Sequence, residues 1–372
     1  DGELIESQGF SSPILRLLPE GLALLRDKTI SRISGEFVDA IKNVGEYFAM
    51  IKRPDDTYWP VSMSINGRLW VKDVLITTQA ISFCVSKEFL LLTTLTHQLV
   101  FLPLTVASVE DWVQLTAKAL QESNTNEELA RRVERGALLV SAVPESATVI
   151  LQTPRGNLET IAPRAMVLSV LRGHLDRLEY SAAYSLCRRH RVDLNFLHDY
   201  APELFLQSIG KFVKELQSVD YLNLFLSSLK DEDVTKSKYA GFLLKSSQIE
   251  AKDFSSKINR VSEAILAVLK EDFFGWVDSV MTVYVVQQPS RIEDALSCIS
   301  QLAALNVPAE TIEKSLKYLL FLVPAERLFD EALGMYDLSL ALSIGRRSQK
   351  DPKDYVPLLE RLASLANELQ RR

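Results

Sequence analysis

Few residues in this chain are suited to chemistry. It has 372 residues, with three cysteines and four histidines. The densest reactive stretch is 187-CRRHRVDLNFLHDY-200. Cys187 and His190 have the Cys-x-x-His spacing of half a zinc site, and His198 offers a third ligand. A structural zinc site takes four ligands, and the other cysteines, Cys84 and Cys298, are far away in sequence. The stretch is therefore read as a helix that packs its cysteine, and no metal is expected. His97 stands alone between two strand-forming runs and reads as a core or solvated histidine. No G-x-x-x-x-G-K-S/T loop, G-x-G-x-x-G loop or G-x-S-x-G elbow occurs. Three distant cysteines do not supply an iron–sulfur cluster, and no Ser/His/Asp spacing singles out a triad. Neither a cofactor nor a catalytic residue is expected.

The same stretch concentrates Arg188, Arg189 and Arg191, the candidate contact residues of the chain. Two readings stand for them. Basic side chains suit a helix C-terminus because they face its unpaired carbonyls, which makes a solvated helix end. Arginine forks also match phosphates and carboxylates, which makes a contact to RNA or to an acidic partner. Of the aromatics near in sequence, only Tyr180, Tyr184 and Phe196 are close, a weak pattern for stacking single-stranded RNA. A second stretch, 273-FFGWVDSVMTVYVV-286, reads as core packing, with an exposed partner groove as the alternative.

Composition bounds these readings. Apolar residues make up 47% of the chain and charged ones 24%, as in a globular protein. The net charge of −6 argues against a general nucleic-acid coat while allowing a local basic patch. An odd number of scattered cysteines makes no disulfide framework, so a reducing compartment is expected. No apolar run reaches about 18 residues, so no membrane span is expected. The chain begins at Asp1 without an initiator methionine, which is the expectation for a piece of a larger protein.

The elements that position these residues change character at 162/163. Up to there, short runs rich in Val, Ile, Leu, Phe and Thr recur about every ten residues. They are 47–53, 57–65, 68–76, 80–86, 89–96, 98–104 and 137–143, with Asn66-Gly67 as a hairpin signal. Residues 107–135 interrupt them, and 121-QESNTNEE-128 reads as a loop or short exposed helix. Residues 21–52 give no clear assignment. Val149–Leu151 form a strand, and Pro154-Arg155-Gly156 a turn in which the glycine takes a positive φ. Pro163 then opens a helix. Candidate helices follow at 163–175, 178–190, 202–217, 219–229, 255–271, 273–287, 290–305, 308–321, 324–333, 337–348 and 354–370. Two of their ends, 184–197 and 340–355, look alike, each closing on paired arginines. The charged run 230-KDEDVTKSKYAG-241 lacks an apolar period and reads as a mobile loop near 230–253.

Evenly spaced strands suggest a sandwich or a propeller, and helix pairs every 25–35 residues an α-solenoid; the architecture expected is β then α. It comprises a partial WD40-type β-propeller at 1–162 and an α-solenoid of antiparallel, TPR-like helix pairs at 163–372. Both folds offer broad surfaces and neither makes an active site by itself, so a scaffold is the natural first reading.

Longer motifs make the reading specific. The run 154-PRGNLETIAPRAMVL-168 resembles the propeller–solenoid junction of the largest, scaffold subunits of the Elongator complex. The stretches 187–200, 220-DYLNLFLSSLKDEDVTKSKY-239, 318-YLLFLVPAERLFDEALGMYDLSLAL-342 and 348-SQKDPKDYVPLL-359 are similar to the same family, in the same order. The likeness spans roughly 66–360 and implies the end of the second propeller and the start of the helical repeat region. It implies a non-enzyme that organises the subunits modifying wobble uridines of tRNA anticodons. The chemistry would belong to a radical-SAM, acetyl-CoA-dependent partner. A propeller-containing subunit would be a second partner, tRNA would bind through the assembled complex, and homodimerisation would use regions outside this chain. A cytoplasmic location is expected, with the nucleus as a second. The alternative, a vesicle-coat or transport-train subunit, shares the propeller-then-solenoid plan without these motifs.

Overall fold

The computed structural model describes residues 14–18, 21–26, 29–32, 47–53, 58–106, 108–121, 129–143, 146–240, 256–305, 307–348 and 351–365. The chain forms two compact units, Asp1–Gly173 and His174–Arg372.

The first unit is built from antiparallel meanders. Strands β1 (Ile14–Leu18), β2 (Gly21–Arg26) and β3 (Thr29–Arg32) make one sheet. Strands β4 (Tyr47–Lys52), β5 (Tyr58–Met63), β6 (Leu69–Val71) and β7 (Val74–Thr77) make a second. The third pairs β8 (Ala80–Val85), β9 (Phe89–Thr94), β10 (Gln98–Pro103) and β11 (Ala130–Arg132). The fourth pairs β12 (Leu138–Val143), β13 (Thr148–Gln152) and β14 (Leu158–Ile161). Successive four-stranded meanders are the blade pattern of a propeller.

Where the chain turns, the local chemistry agrees. Gly67 sits at φ +78°, and a Cβ there would come 2.8 Å from the Ala80 carbonyl oxygen, so the Asn66-Gly67 turn requires glycine. The expected single strand 68–76 is instead two, β6 and β7. Lys72 takes φ 55° between them, and its N–H donates to Pro60 O at 2.9 Å.

The interruption at 107–135 carries a helix that pattern reading missed, α1 (Val109–Gln121). Ser108 and Asp111 cap it reciprocally, through Ser108 N to Asp111 Oδ2 at 3.0 Å and Asp111 N to Ser108 Oγ at 3.3 Å. Trp112 anchors it in the core of the second and third sheets. Its indole N–H donates to Pro103 O at 2.8 Å, and its ring meets Trp59 edge-on at 5.5 Å. The polar run from 122 to 128 lies outside the described residues.

Helix α2 (Arg164–Asp176) follows Pro163. The first unit extends past the strand-to-helix change at 162 because this helix is tied to the turn before β9. Ser169 hydrogen-bonds Glu88, and Arg172 lies 3.8 Å from the same carboxylate.

The second unit is helical. It runs through α3 (Tyr180–His190), α4 (Phe196–Asp199), α5 (Pro202–Gln207), α6 (Ile209–Leu216), α7 (Val219–Ser228) and α8 (Val234–Ser237). After α9 (Lys257–Leu269) come α10 (Val277–Val286), α11 (Ile292–Ala304) and α12 (Ala309–Leu322), then α13 (Ala325–Gly334), α14 (Leu338–Gly345) and α15 (Pro352–Ala363). Bonds from Ser315 to Asp278 and between Thr282 and Tyr318 show α10 and α12 running in the same direction, as alternate helices of a solenoid do.

Two expectations change here. The helix expected at 202–217 breaks at Ser208, whose hydroxyl turns back to Leu204 O and meets Tyr180 OH, each at 2.6 Å. The mobile loop expected near 230–253 is, through Ala240, a bonded part of the fold. Its remainder lies outside the described residues.

Candidate functional site

Helix α3 delivers the three arginines because its other face is apolar. Tyr180, Ala183, Tyr184, Leu186 and Cys187 are buried, which leaves Arg188 and Arg189 on the outer face. Arg191 closes the helix in the left-handed conformation, φ 52° and ψ 44°. Val192 N–H then reaches back to Cys187 O at 2.9 Å, one of the carbonyls a helix end leaves open. All three arginines are exposed.

Arg188 is not simply solvated. Its guanidinium stacks on the ring of Tyr221 at 4.7 Å, and that ring lies against Tyr184 at 5.3 Å. The Tyr184 hydroxyl donates to Tyr221 O at 2.9 Å, and burial pushes it up to about 12. The result is a layered stack: a buried tyrosine, a half-open one and a cation on top. Tyr221 is 39% exposed and Leu224, one turn on, is 45% exposed. A stacked guanidinium keeps its edge donors free for a carboxylate or phosphate. Tyr180, Tyr184 and Phe196, the aromatics near in sequence, are all buried. Tyr221, supplied by α7 from 33 positions downstream, is the one that matters, and no local period could have revealed it.

The metal candidates separate. Cys187 is fully buried, and His198 bonds Asp199 Oδ1 through Nδ1 at 2.8 Å. Among the described residues, no three His, Cys, Asp or Glu side chains converge as a metal site would require. Burial pushes the Cys298 thiol up to about 11 and raises Cys84 as well, which removes thiolate character at neutral pH. His97 is half-buried in the β9–β10 turn at φ 63°.

Asp199 is instead the centre of a buried clasp. Lys257 Nζ donates to both its oxygens, at 2.8 and 3.0 Å, and also to Glu232 O at 2.8 Å. Val234 N–H donates to Asp199 Oδ2 at 3.0 Å. Beside it, Asn195 donates to Ser228 O at 2.7 Å and accepts from Lys230 N–H at 3.0 Å. Asp193 pairs with Lys238, and its N–H donates to Tyr239 OH at 2.9 Å. Burial alone would raise the Asp193 carboxyl, but Lys238 and Asn195 outweigh it and hold it below the usual range. The 230–240 run is polar because its partners are polar groups on the 193–199 segment. These groups hold helices together: the bonds from Asp199 to Lys257 and Val234, and from Asn195 to Ser228 and Lys230, all reach distant parts of the chain.

In 273–286, the part from Val277 to Tyr284 is core, with Asp278 half-buried, whereas Phe274 is 59% exposed. The helix expected from 273 begins at Val277.

Comparison with known proteins places this geometry. A family model described as the ELP1 N-terminal second beta-propeller matches residues 36–140, and one described as the ELP1 alpha-solenoid matches 164–362. The chain is 40% identical over 305 residues to Elongator complex protein 1 of Schizosaccharomyces pombe, covering 82% of this chain and 24% of that protein. It is 37% identical over 321 residues to the Saccharomyces cerevisiae protein of the same name, covering 80% and 23%. The Mus musculus protein is 35% identical over 309 residues, covering 82% and 23%. The chain thus spans about a quarter of the length of the curated relatives it matches.

Proposed function

Because the chain belongs to the Elongator complex protein 1 family, we propose that it acts as part of a non-catalytic scaffold subunit of the Elongator complex. In this reading it organises the subunits that modify wobble uridines of tRNA anticodons. The observation that carries the reading is the ordered match of both units, propeller then solenoid, to that one family. The polar groups of the solenoid point the same way: the buried charges Asp199 and Lys257 serve to fix helices to one another.

The partners in this proposal are the radical-SAM/acetyltransferase subunit and a propeller-containing subunit. tRNA is bound mainly through the assembled complex, and the protein works in the cytoplasm, with the nucleus as a second location. Arg188, Arg189 and Arg191 are assigned to an acidic partner subunit rather than to tRNA. The net charge of −6 supports this, as does the Tyr221 platform, which orients one guanidinium edge without offering a row of aromatic rings for bases to stack on. Depleting the protein from cells tests the scaffold role. Wobble-uridine modification should fall together with the assembled complex, and undiminished modification would contradict the proposal.

A further inference from the structure

The connection between α9 and α10 has an unusual composition, 270-KEDFFGW-276. Leu269 before it is 1% exposed and Val277 after it is 8% exposed. The seven residues between are all exposed or half-buried. A helix–helix connection needs only turn chemistry, yet three of these seven positions are large aromatics. Phe274 leaves 59% of its surface to water, and Phe273 meets it edge-on at 5.8 Å.

The turn is held in place. Gly275 N–H donates to Asp272 Oδ1 at 3.4 Å and Trp276 N–H to Phe273 O at 3.3 Å. A Cβ on Gly275 would come 2.6 Å from Asp272 Oδ2, so the glycine admits the carboxylate that braces the turn. An ordered surface loses little further entropy on binding.

Its charge selects the partner. Glu271 and Asp272 are exposed, and neither forms an ion pair among the described residues. Two carboxylates against the single ammonium of Lys270 leave the turn net negative beside the exposed Phe274, which disfavours phosphate and favours cations. A guanidinium or ammonium laid on Phe274 or Trp276 would gain both ring attraction and a charge-assisted bond to Glu271.

We infer that the 271–276 turn is a docking knob for a basic, apolar-flanked peptide segment of another protein chain. The inference holds for whichever assembly the chain enters, so its failure and the failure of the Elongator reading are separate results.

The test uses the full-length protein in its purified native assembly, with Phe274→p-benzoylphenylalanine as a photocrosslinking probe. The crosslinked peptide is sequenced by mass spectrometry after irradiation. The expected adduct is a segment of a different chain carrying Arg or Lys beside apolar residues. Glu271→Lys should lower its yield at least tenfold while leaving the melting temperature unchanged, and 0.5 M salt should lower it too. An adduct within the same chain, with nucleic acid or with an acidic segment overturns the inference, as does no adduct at all. A yield unaffected by Glu271→Lys overturns it equally.

Discussion

Lys257 and Asp199 form a bidentate ion pair, 2.8 and 3.0 Å long, between positions 58 residues apart and both buried in the solenoid. Each makes further hydrogen bonds within the solenoid. Asp199 accepts from Val234 N–H and bonds His198, and Lys257 donates a hydrogen bond to the Glu232 carbonyl oxygen. A buried charge without its partner is costly, so this pair decides whether α4, the 228–240 run and α9 stay together.

Lys257→Met should destabilise the helical unit by about 3–5 kcal/mol, because it strands the Asp199 carboxylate. Adding Asp199→Asn should recover part of that loss. A neutral amide oxygen still accepts from Val234 N–H, and the two changes should couple by about 0.5–3 kcal/mol. Urea denaturation of the single and double variants measures it. Strictly additive losses would show that the pair is not coupled.

His198 gives the clasp a pH dependence. Burial is the largest influence on it and holds its pKa below the usual value, with the bond to Asp199 opposing in part. The unfolded chain therefore takes up a proton at about 6.5 where the folded chain resists. Above that pH both states are neutral at His198 and stability is full. As pH falls below it, stability is lost until the lowered folded pKa is passed. His198→Gln should flatten this part of the melting-temperature profile, the fall that sets in below about pH 6.5. An unchanged slope would mean that another group sets it.

Much of this fold was readable from local sequence. The Asn66-Gly67 and Gly156 turns depend on backbone conformations that only a few residue types adopt, and these were recognisable by type. The strand runs and Pro-started helices repeat with periods of 2 and 3.6, so their existence was legible too. Helix α1 was not, because a polar tail at 121–128 masked a helix whose anchor, Trp112, finds its partners Pro103 and Trp59 through the sheet. The clasp was hidden for a related reason. Residues 230–240 look like solvated charge, and only the fold brings Asp193, Asn195 and Asp199 to them. The arginine cluster was visible as a basic run, whereas its Tyr221 platform required two helices to pack.

Gly156 takes φ +85°, and no atom lies within 4 Å of where its Cβ would be. Substitution there should therefore act through backbone strain alone. Gly156→Val should cost roughly 1–3 kcal/mol, and Gly156→Asn much less, since asparagine tolerates the left-handed region. Equal melting temperatures for the two variants would contradict the assignment.

Replacing Arg188, Arg189 and Arg191 together with Glu should release an acidic partner subunit from the purified assembly. Helicity should be retained, because exposed helix-end charges contribute only tenths of a kcal/mol each. Tyr221→Ala should weaken the same contact less, by removing the platform beneath Arg188 while keeping the charge. If the triple variant assembles fully but binds tRNA with a shallower salt dependence, the arginines face phosphate instead.

The scaffold account is tested most directly by quantitative mass spectrometry of the tagged full-length protein purified from cell extract. It predicts stoichiometric recovery of the radical-SAM/acetyltransferase subunit and the propeller-containing subunit of Elongator. It also predicts that the protein stripped of them hydrolyses no acetyl-CoA and cleaves no SAM. Recovery of vesicle-coat or cargo-adaptor subunits in their place, or cofactor turnover that stays with the stripped protein and is lost on mutating its own residues, would contradict it.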